Sequence, residues 1–338
     1  MTSDRFLGRT LRIGPLDLAG RAVLAPMSGI SDVAFRCIAA RFGAGLVVTE
    51  MVAAAAYVAR ADQARLRSEG QGIHPHVVQL VGRNPQAMAK AARLAEASGA
   101  HIVDINFGCP AKKVTGGLCG SALMREPGLA LAIVEAVVGA VSVPVTVKMR
   151  LGWDDASRNA VALAGGAVSA GAQAITVHGR TRQQFYSGRA DWDAIAEVVE
   201  ALPVPVVANG DVVCVSTARA CLARSGAAAV MVGRAAVGQP WIVGEISAAL
   251  SGLPYAPPSW AERTAATIEH YESMLSLYGV KLGVRHARKH LAGYAERAIE
   301  AGFAVPDTDR LALVTSADPR EVLAALRRLY AQPARLAA

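Results

Sequence analysis

The sequence predicts an α/β chain: a (β/α)8 TIM barrel followed by a small C-terminal all-α helical bundle. Three observations carry that expectation. Eight short, apolar, β-rich runs recur at steady spacing. Between them lie Ala-, Leu- and Arg-rich stretches long enough for helices. Nearly every run stops at a polar or ionisable residue. Strands that alternate with helices pair in parallel, and eight such units within roughly 230 residues fill one barrel. A doubly wound sheet would need a glycine fingerprint after its first strand. Here that strand is followed by Pro26, Met27, Ser28 and Gly29.

The runs are residues 22–25, 46–49, 76–80, 102–105, 145–147, 174–177, 206–208 and 229–232. They end at Pro26-Met27, Glu50, Gln79, Asn106, Lys148, His178, Asn209 and Gly233-Arg234. Barrel enzymes build their sites at that face. Helices are expected over residues 85–98, 127–138, 158–170, 193–200 and 215–224. Proline and glycine at 252–258 mark a boundary, giving a catalytic domain over 1–252 and a helical domain over 253–338. Ser259 and Glu262 read as a capping box, with Ile268, Tyr271, Leu275 and Tyr278 following at helical spacing. A second helix runs from about 280 to 301, and a third opens at Asp318-Pro319 with Glu321 completing another capping box.

Composition narrows the class. Residues 1–5 contain no apolar h-region, so no secretory signal is expected. The apolar stretch 128–147 is broken by Glu135, Gly139 and Pro144, which reads as helix then strand and not as a membrane span. Five cysteines without a CxxC pair argue against a disulfide framework and against zinc or iron–sulfur ligation. No metal is expected, and the compartment reads as the reducing cytoplasm, with the protein as a monomer. Net charge is +8, and its position matters more than its size.

Cys109 is the leading chemical candidate. It follows a buried strand in the turn Gly108-Cys109-Pro110, three residues after the amide of Asn106. A thiol of ordinary acidity is mostly protonated at neutral pH, which suits a general acid. The next stretch, 111–124, holds Lys112, Lys113 and three glycines but no acid, and reads as a lid facing an anion. Cys37, Cys119, Cys214 and Cys221 read as structural. Lys148 ends a packed strand, where a lysine needs an anion; a reduced flavin edge and a Schiff base both remain open. Arg150 points the same way and would reach substrate. His178 opens a segment with Arg180 and Arg182 that suits flavin or phosphate. Gln79 suits a planar ring edge. Asn209, Gly210 and Asp211, with Gly233 and Arg234, follow the last two strands, where barrels hold phosphate. Lys281, Arg285, Arg288 and Lys289 share a helix face without acids, as an RNA or phosphate surface would.

These motifs resemble the tRNA-dihydrouridine synthases, most closely their B subfamily. The resemblance rests on Ala25-Pro26-Met27, Glu50-Met51-Val52, Gln79-Leu80, residues 104–114, Lys148-Met149-Arg150, residues 178–182, residues 209–211, Gly233-Arg234 and residues 288–290. It implies FMN bound through Pro26, Met27, Ser28, Gln79, Lys148, His178, Asn209, Gly210, Asp211, Gly233 and Arg234. Ser28 stands where alanine is commoner. The resemblance further implies Cys109 as general acid, Asn106 as the uracil anchor, and NADPH as reductant with NADH as the alternative. The partner would be tRNA, gripped by the C-terminal helices, and the reaction reduction of a uridine C5=C6 bond, expected in the D-loop. Two other readings stand beside it: an FMN barrel acting on a free pyrimidine, and a non-enzymatic RNA-binding regulator.

Overall fold

The computed structural model describes residues 10–331. Residues 1–5, read above for the absence of a secretory h-region, lie outside them. Eight parallel strands form the centre: β1 Ala22–Leu24, β2 Leu46–Val47, β3 Val77–Val81, β4 Ile102–Phe107, β5 Val145–Arg150, β6 Ala174–His178, β7 Val206–Asn209 and β8 Ala229–Val232. Neighbours pair in chain order from β3 to β8, then β8 to β1 and β1 to β2. The last seam is short. A single parallel bridge joins Val48 to Val77, and the Thr49 N–H donates to the Val77 carbonyl at 3.1 Å. The sheet is thereby a closed barrel. Beyond the seam the chain re-pairs as a short strand, Val52–Ala53, against β3.

Parallel strands covered on both faces read as unbroken apolar runs, which is why the sequence disclosed all eight. Their outward residues pack under the helices. Inside the lower barrel, Val23, Leu46, Val77, Ile102, Ala174 and Val207 form a separate cluster with Leu11, Ile13 and Leu18. Those last three belong to or flank an N-terminal hairpin, Arg12–Ile13 with Leu16–Asp17. The hairpin packs against the bottom of the barrel, and the large cavity lies at the strands' C-terminal ends. Two-residue strands carry too little periodicity for the sequence to reveal them.

Four helices follow the barrel: Trp260–Tyr278, Val280–Glu300, Asp307–Thr315 and Pro319–Arg328. The Ser259 capping box forms as expected, with the Ser259 N–H donating to Glu262 Oε2 at 2.7 Å. The box expected at Asp318 forms only by half. Asp318 Oδ1 accepts from the Arg320 N–H at 2.9 Å, while the Glu321 carboxylate accepts from Ser316 Oγ at 2.7 Å instead. Helix Asp307–Thr315 was not expected, because it opens at Pro306 without a side-chain cap. Ala34 and Trp241 of the barrel join Tyr271, Leu291, Tyr294 and Leu326 in one apolar cluster. The helices therefore pack directly on the barrel. At the closest approach a Cβ on Gly238 would collide with the Gly293 carbonyl, so residue 238 tolerates no side chain there. Among the described residues no helix is long and apolar enough to cross a membrane.

Candidate active site

A cavity of about 660 Å³ opens at the C-terminal ends of the strands. That size suits a cofactor or a drug-sized ligand. Its wall carries Pro26, Met27 and Ser28 after β1, Gln79 on β3, Asn106 and Cys109 from β4, and Lys148 and Arg150 on β5. It continues with His178 on β6, Asn209, Gly210 and Asp211 after β7, and Gly233 and Arg234 after β8. The fold thus gathers around one space every residue read from sequence as a cofactor contact or as catalytic.

Strand register explains much of the arrangement. Gln79 pairs with Asp104, Asp104 with Thr146, and Asn106 with Lys148. Side chains two apart on a strand share a face, so Asp104 and Asn106 point together. A hydrogen-bonded chain results. Thr146 Oγ1 donates to Asp104 Oδ1 at 2.6 Å and Gln79 Nε2 donates to Asp104 Oδ2 at 2.7 Å. Asn106 Nδ2 donates to Gln79 Oε1 at 2.7 Å. Asn106 Oδ1 then accepts from the backbone N–H groups of Gly108 at 3.1 Å and Cys109 at 2.9 Å. Burial pushes Asp104 up to about 6, against the two side-chain donors that hold it down. The turn bearing Cys109 is therefore braced from inside the barrel. Asn106 and Gln79 each keep one amide proton uncommitted. Asp104 and Thr146 were missed as site residues, since a buried acid in an apolar run gives no sign of its partners.

The far end of segment 111–124 is tied to the same turn. The Cys109 carbonyl accepts from Ser121 N–H at 3.1 Å and Ser121 Oγ at 2.9 Å. Gly120 makes this possible: its φ is +61°, and a Cβ there would stand 2.9 Å from the Cys109 carbonyl oxygen. Lys112 and Lys113 are exposed on the intervening helical turn, outside the cavity lining.

Lys148 is partly open to the cavity and donates to Asn209 Oδ1 at 3.2 Å. Asn209 Nδ2 is held by the Met231 carbonyl at 2.9 Å. No carboxylate among the described residues lies within ion-pair distance of Lys148. Burial, then the nearby Arg150 charge, push its amine down to about 8. His178 is held well below the usual imidazole range by burial and by Arg150, Lys148, Arg180 and Arg234. Its Nε2 lies 3.3 Å from Arg180 Nη1, which can only donate. His178 is therefore neutral, with its proton on Nδ1.

Two readings need correction. Arg150 is not a free arm toward substrate. Its Nε donates to the Gly108 carbonyl, and its Nη1 donates to those of Thr181 and Phe185, all at 2.9 Å. Arg180 does not face RNA. It is 2% exposed, and its Nη2 donates to Asp211 Oδ2 and to the Gly188 carbonyl, both at 2.7 Å. Both arginines hold the loop that follows β6, because a fork with five donors satisfies carbonyls that no other group reaches. Arg182 lies 4.7 Å above the Trp153 ring, also outside the cavity lining. That loop presents Phe185 and Tyr186 to the cavity, and the Arg234 guanidinium sits 4.6 Å above the Tyr186 ring. These aromatics and Arg297 also escaped the sequence reading, and Met51 was read only as part of a motif, with no role in the site. Arg297 comes from helix Val280–Glu300, which no local pattern could have brought to the barrel mouth.

On that helix Lys281, Arg285 and Lys289 are exposed. Arg288 sits at the edge of the buried face and donates to the Thr315 carbonyl at 3.0 Å. Lys289 Nζ lies 3.7 Å from where a Cβ on Gly29 would stand, so the basic row ends beside the barrel mouth.

Comparison with known proteins fits this geometry. The family model described as dihydrouridine synthase (Dus) matches residues 23–327. A probable tRNA-dihydrouridine synthase of Rhizobium leguminosarum bv. phaseoli is 51% identical over 315 residues, covering 93% of this chain and 96% of that protein. A tRNA-dihydrouridine synthase B of Shewanella oneidensis is 43% identical over 297 residues, covering 87% and 92%. Among solved structures, histamine dehydrogenase from Rhizobium sp. 4-9 matches with a TM-score of 0.53 at 13% identity. That match covers 80% of this chain but about half, 51%, of the other, and it is a likeness of fold. With its family match running from the first barrel strand into the last helix, the chain belongs to the dihydrouridine synthase family.

Proposed function

We propose that this chain reduces the C5=C6 bond of uridines in tRNA, using FMN held at the barrel mouth and NADPH as reductant. One observation supports this above the others: a half-buried lysine, with no carboxylate within ion-pair distance among the described residues, and a braced cysteine line the same cavity. The residues suit a flavin phosphate as well. Two glycine-containing loops end β7 and β8, where barrels bind phosphate on backbone N–H groups. We divide the chain into a catalytic domain over 1–252 and an RNA-holding domain over 253–338, and read it as a cytoplasmic monomer. All five cysteines are free, in keeping with a reducing compartment.

When bound, the flavin supplies hydride chemistry; the chain's own groups do the rest. Lys148, oriented by Asn209, would meet the negative charge of a reduced flavin, as an oxyanion-hole donor does. His178, neutral and with its Nε2 lone pair taken by Arg180, has only its Nδ1 proton to donate there and adds no charge. A uridine stacked in RNA must be flipped out before its ring can be reached. The spare amide proton of Asn106 meets a uracil carbonyl, and Cys109 gives its proton to C5. Tyr186 and Phe185 offer aromatic faces at the mouth where the flipped base enters. The purified protein is expected to be yellow, with a band near about 450 nm; a colourless chain that takes up no added FMN contradicts this reading.

Binding of the flavin should depend on pH through Lys148. In the flavin-free site its amine is held at about 8. An adjacent anion favours the charged form, so above that pH binding must take up a proton. Affinity is therefore expected to fall as pH rises through 8, by at most about tenfold per unit. Fluorescence titration with FMN at pH 7 and pH 9 measures it. In Lys148→Met the affinity should be weaker at pH 7 and the decline should flatten.

The exposed row Lys281, Arg285 and Lys289 gives tRNA its backbone grip. Arg285→Ala with Lys289→Ala should weaken tRNA binding and leave FMN binding intact. Each lost phosphate contact lowers the salt slope by about 0.7–0.9. Unchanged binding at every salt concentration would mean that this face is merely solvated.

A further inference from the structure

Far from any sequence motif of metal ligands, three side chains from separate segments meet where the helices sit on the barrel. Asp32 caps helix Val33–Arg41, its Oδ1 accepting from the Phe35 N–H at 3.0 Å. His270 stands on helix Trp260–Tyr278 and His290 on helix Val280–Glu300. One donor atom from each lies within 4.8 Å of the other two. His270 Nε2 is 4.0 Å from Asp32 Oδ1, and the two imidazole centroids are 4.5 Å apart. Asp32 is 4% exposed and each histidine 1%.

Unmet hydrogen bonding separates this cluster from an ordinary buried network. Among the described residues His270 Nε2 and both ring nitrogens of His290 have no hydrogen-bond partner. Each such buried atom costs about 1–3 kcal/mol when left alone. His270 Nδ1 lies 3.0 Å from the buried Tyr294 hydroxyl. Donation from Nδ1 to that oxygen leaves the Nε2 lone pair directed at the cluster. A metal-ligating histidine is held in this way, its second nitrogen anchored by an outer partner. The Phe35 ring lies 5.5 Å from His270 and 5.2 Å from His290, which walls the group from water.

We propose that Asp32, His270 and His290 bind a divalent transition-metal ion of the zinc class. Two imidazoles and one carboxylate suit such an ion, whereas calcium and magnesium take oxygen ligands. Three protein ligands leave a fourth, tetrahedral position for water. Metal bonds of about 2.0–2.1 Å require donor atoms roughly 3.3 Å apart, so the 4.0 Å pair closes by less than an ångström. The ion joins the barrel to two helices of the helical domain. His290 follows Lys289, so the ion also fixes the register of the basic row against the barrel mouth. This inference does not rest on the reading of the active site.

The test is metal content of the full-length chain. Protein from zinc-supplemented culture, dialysed without chelator, should carry about one zinc per chain, and its Tm should fall when a chelator removes it. Asp32→Asn keeps the helix cap, because asparagine caps as well as aspartate. It should match the wild-type circular dichroism yet lose the metal, as should His290→Ala. Wild-type protein that holds no zinc and shows no rise in Tm with added Zn(II) or Co(II) overturns the proposal. So does full metal content in both variants.

Discussion

Cys109→Ala is expected to bind flavin and to be reduced by NADPH as the unaltered chain is, yet to form dihydrouridine about 10²–10⁴-fold more slowly. The separation follows from where the thiol sits. Asn106 Oδ1 holds the Cys109 backbone N–H at 2.9 Å, and Ser121 holds its carbonyl. Those bonds involve only backbone of residue 109, so alanine preserves the turn and removes the proton donor alone. Quantifying dihydrouridine in tRNA alongside flavin reduction by stopped flow reads both half-reactions. Cys119→Ala is the control and should be nearly silent: its thiol donates to the nearby Gly117 carbonyl at 3.2 Å and does not line the cavity. Near-normal dihydrouridine formation in Cys109→Ala would mean that another group donates the proton.

Arg150→Met should act on a different quantity. The guanidinium is 2% exposed and satisfies the carbonyls of Gly108, Thr181 and Phe185. Methionine fills similar volume and leaves all three unpaired. An orphaned buried acceptor costs about 1–3 kcal/mol, so a loss of about 3–5 kcal/mol is expected for the variant. For a chain of 338 residues that corresponds to a fall of roughly 4–7 °C in Tm. Activity should fall too, because the same bonds position Tyr186 and the Cys109 turn. Arg150→Lys should not restore either property, since an ammonium cannot span the three acceptors. The opposite pattern, a raised KM at unchanged Tm, would return Arg150 to the role of a substrate arm.

The barrel was legible in sequence because a parallel sheet under helices needs apolar runs and stops them abruptly at the catalytic face. Lys148, His178 and Asn209 stood out as polar groups abutting such runs. Asp104 did not, because it lies within its run and its partners Gln79 and Thr146 come from neighbouring strands. Arg150 and Arg180 were misread for a related reason. Sequence shows that an arginine follows a strand but not which carbonyls surround it. The hairpin Arg12–Ile13 with Leu16–Asp17 is too short for periodicity, and Arg297 reaches the cavity from more than a hundred residues beyond β5. Asp32, His270 and His290 are invisible as a group for the same cause: only packing brings them together.

The central claim is that this cavity couples flavin oxidation to reduction of a tRNA uridine. The most direct measurement is a single turnover without reductant. Enzyme is reduced with NADPH, freed of excess nucleotide, and mixed anaerobically with tRNA lacking dihydrouridine. The oxidised flavin band should recover with about one dihydrouridine formed per flavin, and should not recover with free uridine. Flavin that stays reduced in the presence of tRNA, or that reoxidises as readily with free uridine, would contradict it.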